Sequence, residues 1–386
     1  MHPPTANQPT DSKARSYGPE PPETACTSRR PALGRTRADN IWRISHGVEE
    51  KMSLAEAAQR RTFIRLVSDR RGWALDDDKQ MTIDALKFSH IHTTKRKRPG
   101  RVDIFMDRFK YLASNDSTAS KEIVSWFHGY PSNDSKFAKL IAALVKKANE
   151  KTTIRVSHQP MLKILRDAGI TSKIATIPIG VDINRFAPST RFKRAASREQ
   201  FGIPEEFFTV GSFQKDGKGW AHGDQIKREK GPDILVSCLV KLKREGLKPF
   251  VVLTGPGRAY VRSGLDGAGI PYLHLRPRRT KELSRLFSLL DCYLIGSRDE
   301  GGPKGGLEAL AAGVPVVTTP VGQIRELISD GISGVISDDF SSESLAESVL
   351  RLNSLDNSSL RRASRSVAEG IDYRKLAPLW LEAIEG

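Results

Sequence analysis

The chain has 386 residues, 38% of them hydrophobic and 28% charged, a balance that fits a folded globular protein and excludes a fibrous or wholly disordered one. That length exceeds one ordinary core and implies two domains, and no run approaches the roughly eighteen apolar residues of a membrane-crossing helix. A net charge of +17 calls for an anionic partner or a broad solvated basic face. Basic runs occur at Lys95-Arg96-Lys97-Arg98 with Arg101 and at Arg276-Pro277-Arg278-Arg279 with Lys281. Neither is interleaved with aromatics and no nucleic-acid motif accompanies them, so nucleic acid is disfavoured. An anionic membrane surface, an anionic acceptor and a plain solvated face stay open. Cys26, Cys238 and Cys292 are far apart with no CxxC pair, which suits a reducing cytosol and no metal site. The N-terminus has no apolar signal region, so a cytoplasmic place, with peripheral contact at the inner membrane face, is expected.

Seven prolines fall among Ser, Thr and Arg within residues 1–40, a composition that cannot offset its ordering entropy. Residues 1–58 are therefore expected to be a disordered tail, and Met52 is an alternative start. Over 59–187 strands and helices alternate. Strands are expected at Phe63–Val67, Val102–Met106, Glu122–Phe127, Thr153–Val156 and Ile174–Ile177, with helices at Trp73–Leu86, Lys136–Lys147 and Met161–Ala168. Over 188–370 a second series follows. Its strands are Phe208–Val210, Phe250–Leu253, Tyr272–Leu275, Cys292–Ile295, Val314–Val317 and Gly334–Ile336, and helices include Asp233–Arg244, Thr280–Leu289 and Leu307–Ala312. Such alternation predicts an α/β protein of two Rossmann-like domains, each a parallel sheet with helices on both faces, and a ligand cleft between them.

The densest chemistry lies in Glu300-Gly301-Gly302-Pro303-Lys304-Gly305-Gly306-Leu307-Glu308, followed by Ala-Leu-Ala-Ala-Gly-Val-Pro-Val-Val. Glycines let backbone N–H groups approach a phosphate, and the start of a helix adds favourable dipole potential. Glutamates at both ends can accept from hydroxyls, which suits a ligand that is sugar at one end and nucleoside at the other. This segment closely resembles the E-x7-E signature of the retaining glycosyltransferases of family 4, whose fold is GT-B. Ile177-Pro178-Ile179-Gly180-Val181-Asp182-Ile183-Asn184-Arg185-Phe186-Ala187-Pro188 is similar to that family's interdomain hinge, with Ile179 in place of Asn.

The resemblance implies roles for further residues. Gly211, Ser212 and Lys215, then Lys230-Gly231-Pro232, match the donor-diphosphate segment; Ser212 stands where the family has arginine, and Lys215 is the candidate to supply that charge. Gly255 of Gly255-Pro256-Gly257 would approach the base or sugar. Glu300 would contact the donor sugar, Glu308 the ribose diol, and the amides of Gly305, Gly306 and Leu307 the diphosphate. His128 resembles the histidine that approaches the donor sugar from the first domain. His158 is a second candidate, Arg298 stands where a small residue is usual, and Trp220 and His222 lie in an insert before Lys230. Leu376–Ile384, within 371–386, would be a last helix crossing back to the first domain. Together these imply a retaining, metal-independent hexosyltransferase without a cofactor, with catalytic His128, Glu300 and Lys230. It would move sugar from a nucleotide-diphosphate donor to a glycan, lipid-linked or small-molecule acceptor, with polysaccharide biosynthesis the expected setting. The alternative is an inactive sugar-nucleotide-binding GT-B protein acting as a partner or regulator.

Overall fold

A computed structural model describes residues 63–386 apart from 69–73, 90, 92, 117 and 219–224. The expected tail, with Cys26 and Met52, lies outside the described residues, as do Trp220 and His222. The first half is a parallel sheet of β1 (Ile64–Val67), β2 (Val102–Phe105), β3 (Lys121–Ser125), β4 (Thr152–Val156) and β5 (Lys173–Thr176), in that spatial order. With right-handed crossovers, a strictly sequential order would put every helix on one face. Here helices cover both faces, and the reason is at β1. The carbonyl of Phe63 accepts the Val102 amide of β2 at 2.9 Å, while the carbonyl of Ile64 accepts the Thr94 amide at 2.7 Å on the opposite edge. After helix α1 (Ala74–Phe88) the chain therefore passes the free edge of β1, bridges it at Thr93, and recrosses to β2.

Alternating side chains divide the core accordingly. Ile64, Val102, Ile104 and Ile123 pack with Leu86 of α1 and with Trp380 and Ile384 of the last helix, Ala377–Glu385. Phe105, Val124, Trp126 and Ile154 face the other way, against α2 (Arg108–Ala113), α3 (Lys136–Lys147) and α4 (Gln159–Asp167). The short α2 was not anticipated from sequence. Asp107 caps it by accepting the Phe109 amide at 2.7 Å, a local bond that a search for apolar periodicity passes over.

The second half begins with α5 (Arg191–Gln200) and forms a six-stranded parallel sheet. Its strands are β6 (Phe208–Phe213), β7 (Pro249–Thr254), β8 (Tyr272–Leu275), β9 (Cys292–Ile295), β10 (Val316–Thr318) and β11 (Gly334–Ile336), in the order β11-β10-β9-β6-β7-β8. Winding reverses between β6 and β9, so the carboxyl ends of those two strands open a crevice. Helices α6 (Pro232–Arg244), α7 (Ala259–Ala268), α8 (Thr280–Leu286), α9 (Lys304–Ala311), α10 (Ile324–Leu327), α11 (Ser342–Asn353) and α12 (Asn357–Gly370) cover the sheet. The last helix is α13. Strand β6 runs three residues beyond Val210, pairing with β7 as far as Phe213 and Thr254, and Gly211 within it lies against Leu290, where a Cβ would stand 2.3 Å from a methyl carbon.

The segment 177–188 links the halves, and residues 371–376 return beside it. Val181 donates to the Ile371 carbonyl and accepts from Tyr373, both at 3.1 Å. Among the described residues no helix is long and apolar enough to cross a membrane.

Candidate functional site

Beyond β9 the glycine-rich loop carries Glu300, 8% exposed, into the crevice. Its carboxylate accepts from Lys230 Nζ at 2.5 Å and from Ser297 Oγ at 3.3 Å. Lys230 ends a 3-10 turn, Arg228–Lys230, and the next residue, Gly231, has φ of +58°. A Cβ on Gly231 would stand 1.7 Å from the Gly296 carbonyl oxygen. Only glycine fits there, and this close approach of two backbones is what sets Lys230 on Glu300. Pro232 then opens α6, where its missing N–H costs nothing.

Helix α9 starts three residues before the expected Leu307, taking Gly305 and Gly306 into its first turn. The turn is pressed onto the sheet: a Cβ on Gly305 would meet the Tyr293 hydroxyl at 2.1 Å. The amides of Gly306 and Leu307 donate to the Pro303 carbonyl, at 2.8 and 3.2 Å, so the expected cradle of Gly305, Gly306 and Leu307 amides needs correction. Lys304 and Gly305 are the residues whose amides precede the first intrahelical bond and have no acceptor within the helix. Leu307 itself is buried in the core. One turn on, Glu308 is 5% exposed, with Lys304 Nζ at 3.8 Å, and Lys304 pairs across the cleft with Asp77 in the first turn of α1. Burial raises the Glu308 carboxyl to about 7 against the pull of Lys304, with Asp77 adding to the rise and Arg185 opposing it.

At the end of β6, Ser212 is buried and its Oγ accepts from Arg258 Nη2 at 3.1 Å. Thus the guanidinium beside position 212 comes from the β7–α7 turn. Gly255 opens that turn at φ +87°, and its carbonyl accepts from His274 Nε2 at 2.8 Å. Gln214 donates to the Lys230 carbonyl at 3.1 Å. Lys227, which sequence reading did not single out, has its pKa lowered by burial and then by Lys230, with Lys215 also repelling and Glu229 and Glu300 opposing. Lys215, Lys227 and Lys230 therefore share one field next to Glu300.

His128 follows β3 and is exposed in the cleft. Its backbone carbonyl accepts from Arg108 Nη1 at 2.5 Å, and Arg108 stacks on Trp126 and Phe137. The surrounding cleft wall, followed by the positive charges of Arg108 and Lys230, pushes the imidazole pKa below its usual value. The ring is neutral throughout the physiological range. His158 is wholly buried, bonded to Tyr130 Oη at 2.8 Å and to Ser157 Oγ at 3.0 Å. Ser157 donates to the Gly301 carbonyl at 2.9 Å, so His158 Nδ1 carries the proton that Ser157 accepts, and Nε2 accepts from Tyr130. Arg298 does not face the crevice chemistry; it forms a two-bond pair with Asp233 of α6 at 2.7 and 2.8 Å.

Several contacts hold the two sides together. Asp299 accepts the amides of Gly129 and Tyr130 at 3.2 Å, and Gln323 exchanges bonds of 2.8 and 2.9 Å with the Ile179 backbone. The first-turn acids at 76–78 and the Ser297-Arg298-Asp299 segment before the glycine loop were visible in sequence, but the bridging roles of Asp77 and Asp299 were not, since an acid in a first helical turn or beside a glycine loop is commonplace.

The family model described as Glycosyl transferases group 1 matches residues 207–368, the half that holds β6 to β11. The D-inositol 3-phosphate glycosyltransferase of Arthrobacter sp. (strain FB24) is 29% identical over 220 residues, 54% of this chain and 49% of that protein. That of Stackebrandtia nassauensis is 30% identical over 184 residues, 42% of this chain and 37% of that protein. The chain thus spans about half the length, or less, of the curated relatives it matches. Among solved structures, Anabaena Alr3699/HepE in complex with UDP and glucose aligns with a TM-score of 0.62 at 15% identity, over 84% of this chain and 99% of that one. Sucrose-phosphate synthase from Thermosynechococcus elongatus aligns with a TM-score of 0.66 at 14% identity, over 83% and 98%. The fold is GT-B.

Proposed function

We propose that this chain, whose residues 207–368 form a glycosyl transferases group 1 domain, is a retaining hexosyltransferase that uses a nucleoside-diphosphate sugar. The observation that carries the reading is the Lys230–Glu300 pair at 2.5 Å, set at the winding reversal beside the first amides of α9. Glu308, one turn further, is the partner for a ribose diol. Lys230, Lys215 and the amides of Lys304 and Gly305 are assigned to the diphosphate, with Gly211, Ser212 and Gly255 shaping the wall, and Glu300 to the sugar hydroxyls. His128 is a neutral hydrogen-bonding group facing the sugar from the other half.

In this reading the bond from the sugar's anomeric carbon to the diphosphate oxygen breaks on the face where the acceptor oxygen bonds. The acceptor's proton passes to the departing phosphate oxygen, whose charge Lys230 and the helix amides stabilise. Lysines neutralise that charge, so transfer should persist in chelator. The solved neighbour carrying UDP-glucose makes UDP-sugars the first donors to test. The family match lies on the donor half, so the acceptor remains the broad class of glycan, lipid-linked or small-molecule hydroxyl. The test is calorimetric titration with UDP-, GDP- and ADP-sugars against wild type and Glu308→Ala. One donor should bind, with affinity lower by roughly 1–3 kcal/mol in the variant. No binding by any donor overturns the proposal, and donor binding without transfer to any acceptor would favour a regulatory protein instead.

A further inference from the structure

The guanidinium of Arg258 and the carboxylate of Asp216 are both 1% exposed as residues, and they face each other at 3.2 Å beneath the lysine-bearing wall of the crevice. Arg258 caps the start of α7, yet its side chain turns away from that helix toward the end of β6. Nη1 donates to the carbonyls of Ser212 at 2.9 Å and Gln214 at 2.8 Å, and Nη2 donates to Ser212 Oγ. Asp216 stands at the base of a hairpin. Its carbonyl accepts the Lys227 amide at 2.7 Å, Gly217 bridges Ile226, and Lys218 donates to the Gln225 carbonyl at 2.7 Å. Between the two anchored residues, Gln214 reaches across to the Lys230 carbonyl. One planar cation therefore hydrogen-bonds two carbonyls and a hydroxyl within a five-residue stretch and faces the Asp216 carboxylate as an ion pair without a hydrogen bond, and a flexible ammonium cannot reproduce that fork.

We infer that Arg258, paired with Asp216, is a positioning residue that fixes the hairpin base so that Lys215, Lys227 and Lys230 converge on one anion. It does not itself touch the ligand, because its side chain is fully covered. The inference deepens the donor-site reading above and rests on it for the identity of the anion as a diphosphate. It also explains why a small hydroxyl residue occupies position 212: a longer side chain there would fill the space the guanidinium takes.

Leaving either charge of a buried pair alone endangers folding, so the decisive variant is Arg258→Lys, which keeps the charge and loses the fork, with the double variant Arg258→Met/Asp216→Leu removing both charges together. Two readouts apply to each folded variant and to wild type. The first is affinity for UDP compared with uridine. The expected result in Arg258→Lys is a loss of tenfold or more for UDP with uridine little changed, because the defect lies at the phosphate wall and the Glu308 end is intact. A parallel loss of both ligands, or no loss of either, overturns the positioning role. The second is limited trypsin digestion, read as cleavage after Lys215, Lys218, Lys227 and Arg228. Faster cutting of this hairpin than of the rest of the chain supports the inference, and wild-type rates in both variants overturn it. If wild type binds neither UDP nor uridine, the donor reading fails at that point, while the digestion still decides whether Arg258 holds the hairpin.

Discussion

Glu308 is where a single side chain's environment has consequences that reach both stability and binding. Its carboxyl, raised by burial to about 7, keeps a proton in the folded chain that the unfolded chain releases at about 4.5. Between those values the folded state binds more protons, so this group's contribution to stability falls as pH rises through the window and is fully lost above it. Glu308→Gln removes the titration. Urea midpoints should show the variant gaining on wild type as pH rises from 4 to 8, approaching roughly 3 kcal/mol as an upper bound, with no gain at the acid end. A constant difference across that range would show that burial of the charge is not the cause. Donor affinity should move the opposite way, because ribose hydroxyls donate best to an ionised carboxylate. Wild type should bind nucleotide several-fold more tightly at about pH 8 than at about pH 6, and Glu308→Gln should show a flat, weaker profile.

At the level of elements, the turn that joins the hairpin to α6 depends on one residue. Gly231 combines a left-handed φ with a Cβ position inside a neighbouring carbonyl. Gly231→Ala should therefore cost about 1–2 kcal/mol from the backbone strain alone, with the clash at the Gly296 carbonyl adding to it, and donor affinity should fall, because Lys230 is carried away from Glu300. A variant with wild-type midpoint and affinity would refute the argument. Gly231 was legible as a loop residue beside Lys230 because a Lys-Gly-Pro sequence before an apolar period has one ready local reading. The partner of that turn, Gly296, was not, since nothing local marks a carbonyl 65 residues away as its contact. The same limit explains α5, which has no buried residues and so no apolar period to read. It is held instead by Arg194 and Arg198, which donate to the carbonyls of Ser288, Leu289 and Leu290 and pair with Asp291. Arg361 and Arg365 likewise donate to carbonyls at Gly313 and Leu290, and at Ile183, Phe186 and Ala311. Part of the positive excess thus works inside the fold, tying off the ends of neighbouring elements, a use that composition does not reveal. Arg258 is another case: its partners lie 42 to 46 residues earlier in the chain, so a motif read along the sequence stops at Ser212.

Across the whole molecule, the chain enters its second half once and comes back, and the return makes the first half depend on the last helix. Trp380 is 1% exposed and packs on β1 and β2 with Ile384. Over its ring, 4.5 Å from the centroid, lies the guanidinium of Arg155. That same group pairs with Asp78 of α1 at 2.7 Å and donates to the carbonyls of Ile177 and Pro178, where the linking segment begins. The last helix therefore braces the first sheet, α1 and the start of the link through one buried cation. Trp380→Ala should cost about 3–5 kcal/mol, and the loss should be unevenly placed. Amide exchange should speed in β1 to β5 and around 177–178 while β6 to β11 keep their protection. Nucleotide affinity should hold, because every group assigned to the donor except His128 sits in the second half. Transfer should fall, since His128 and the contacts of Asp299 with Gly129 and Tyr130 depend on the braced sheet. Equal acceleration of exchange in both sheets would mean the halves unfold as one unit, and the brace would then belong to global stability rather than to the geometry of the cleft.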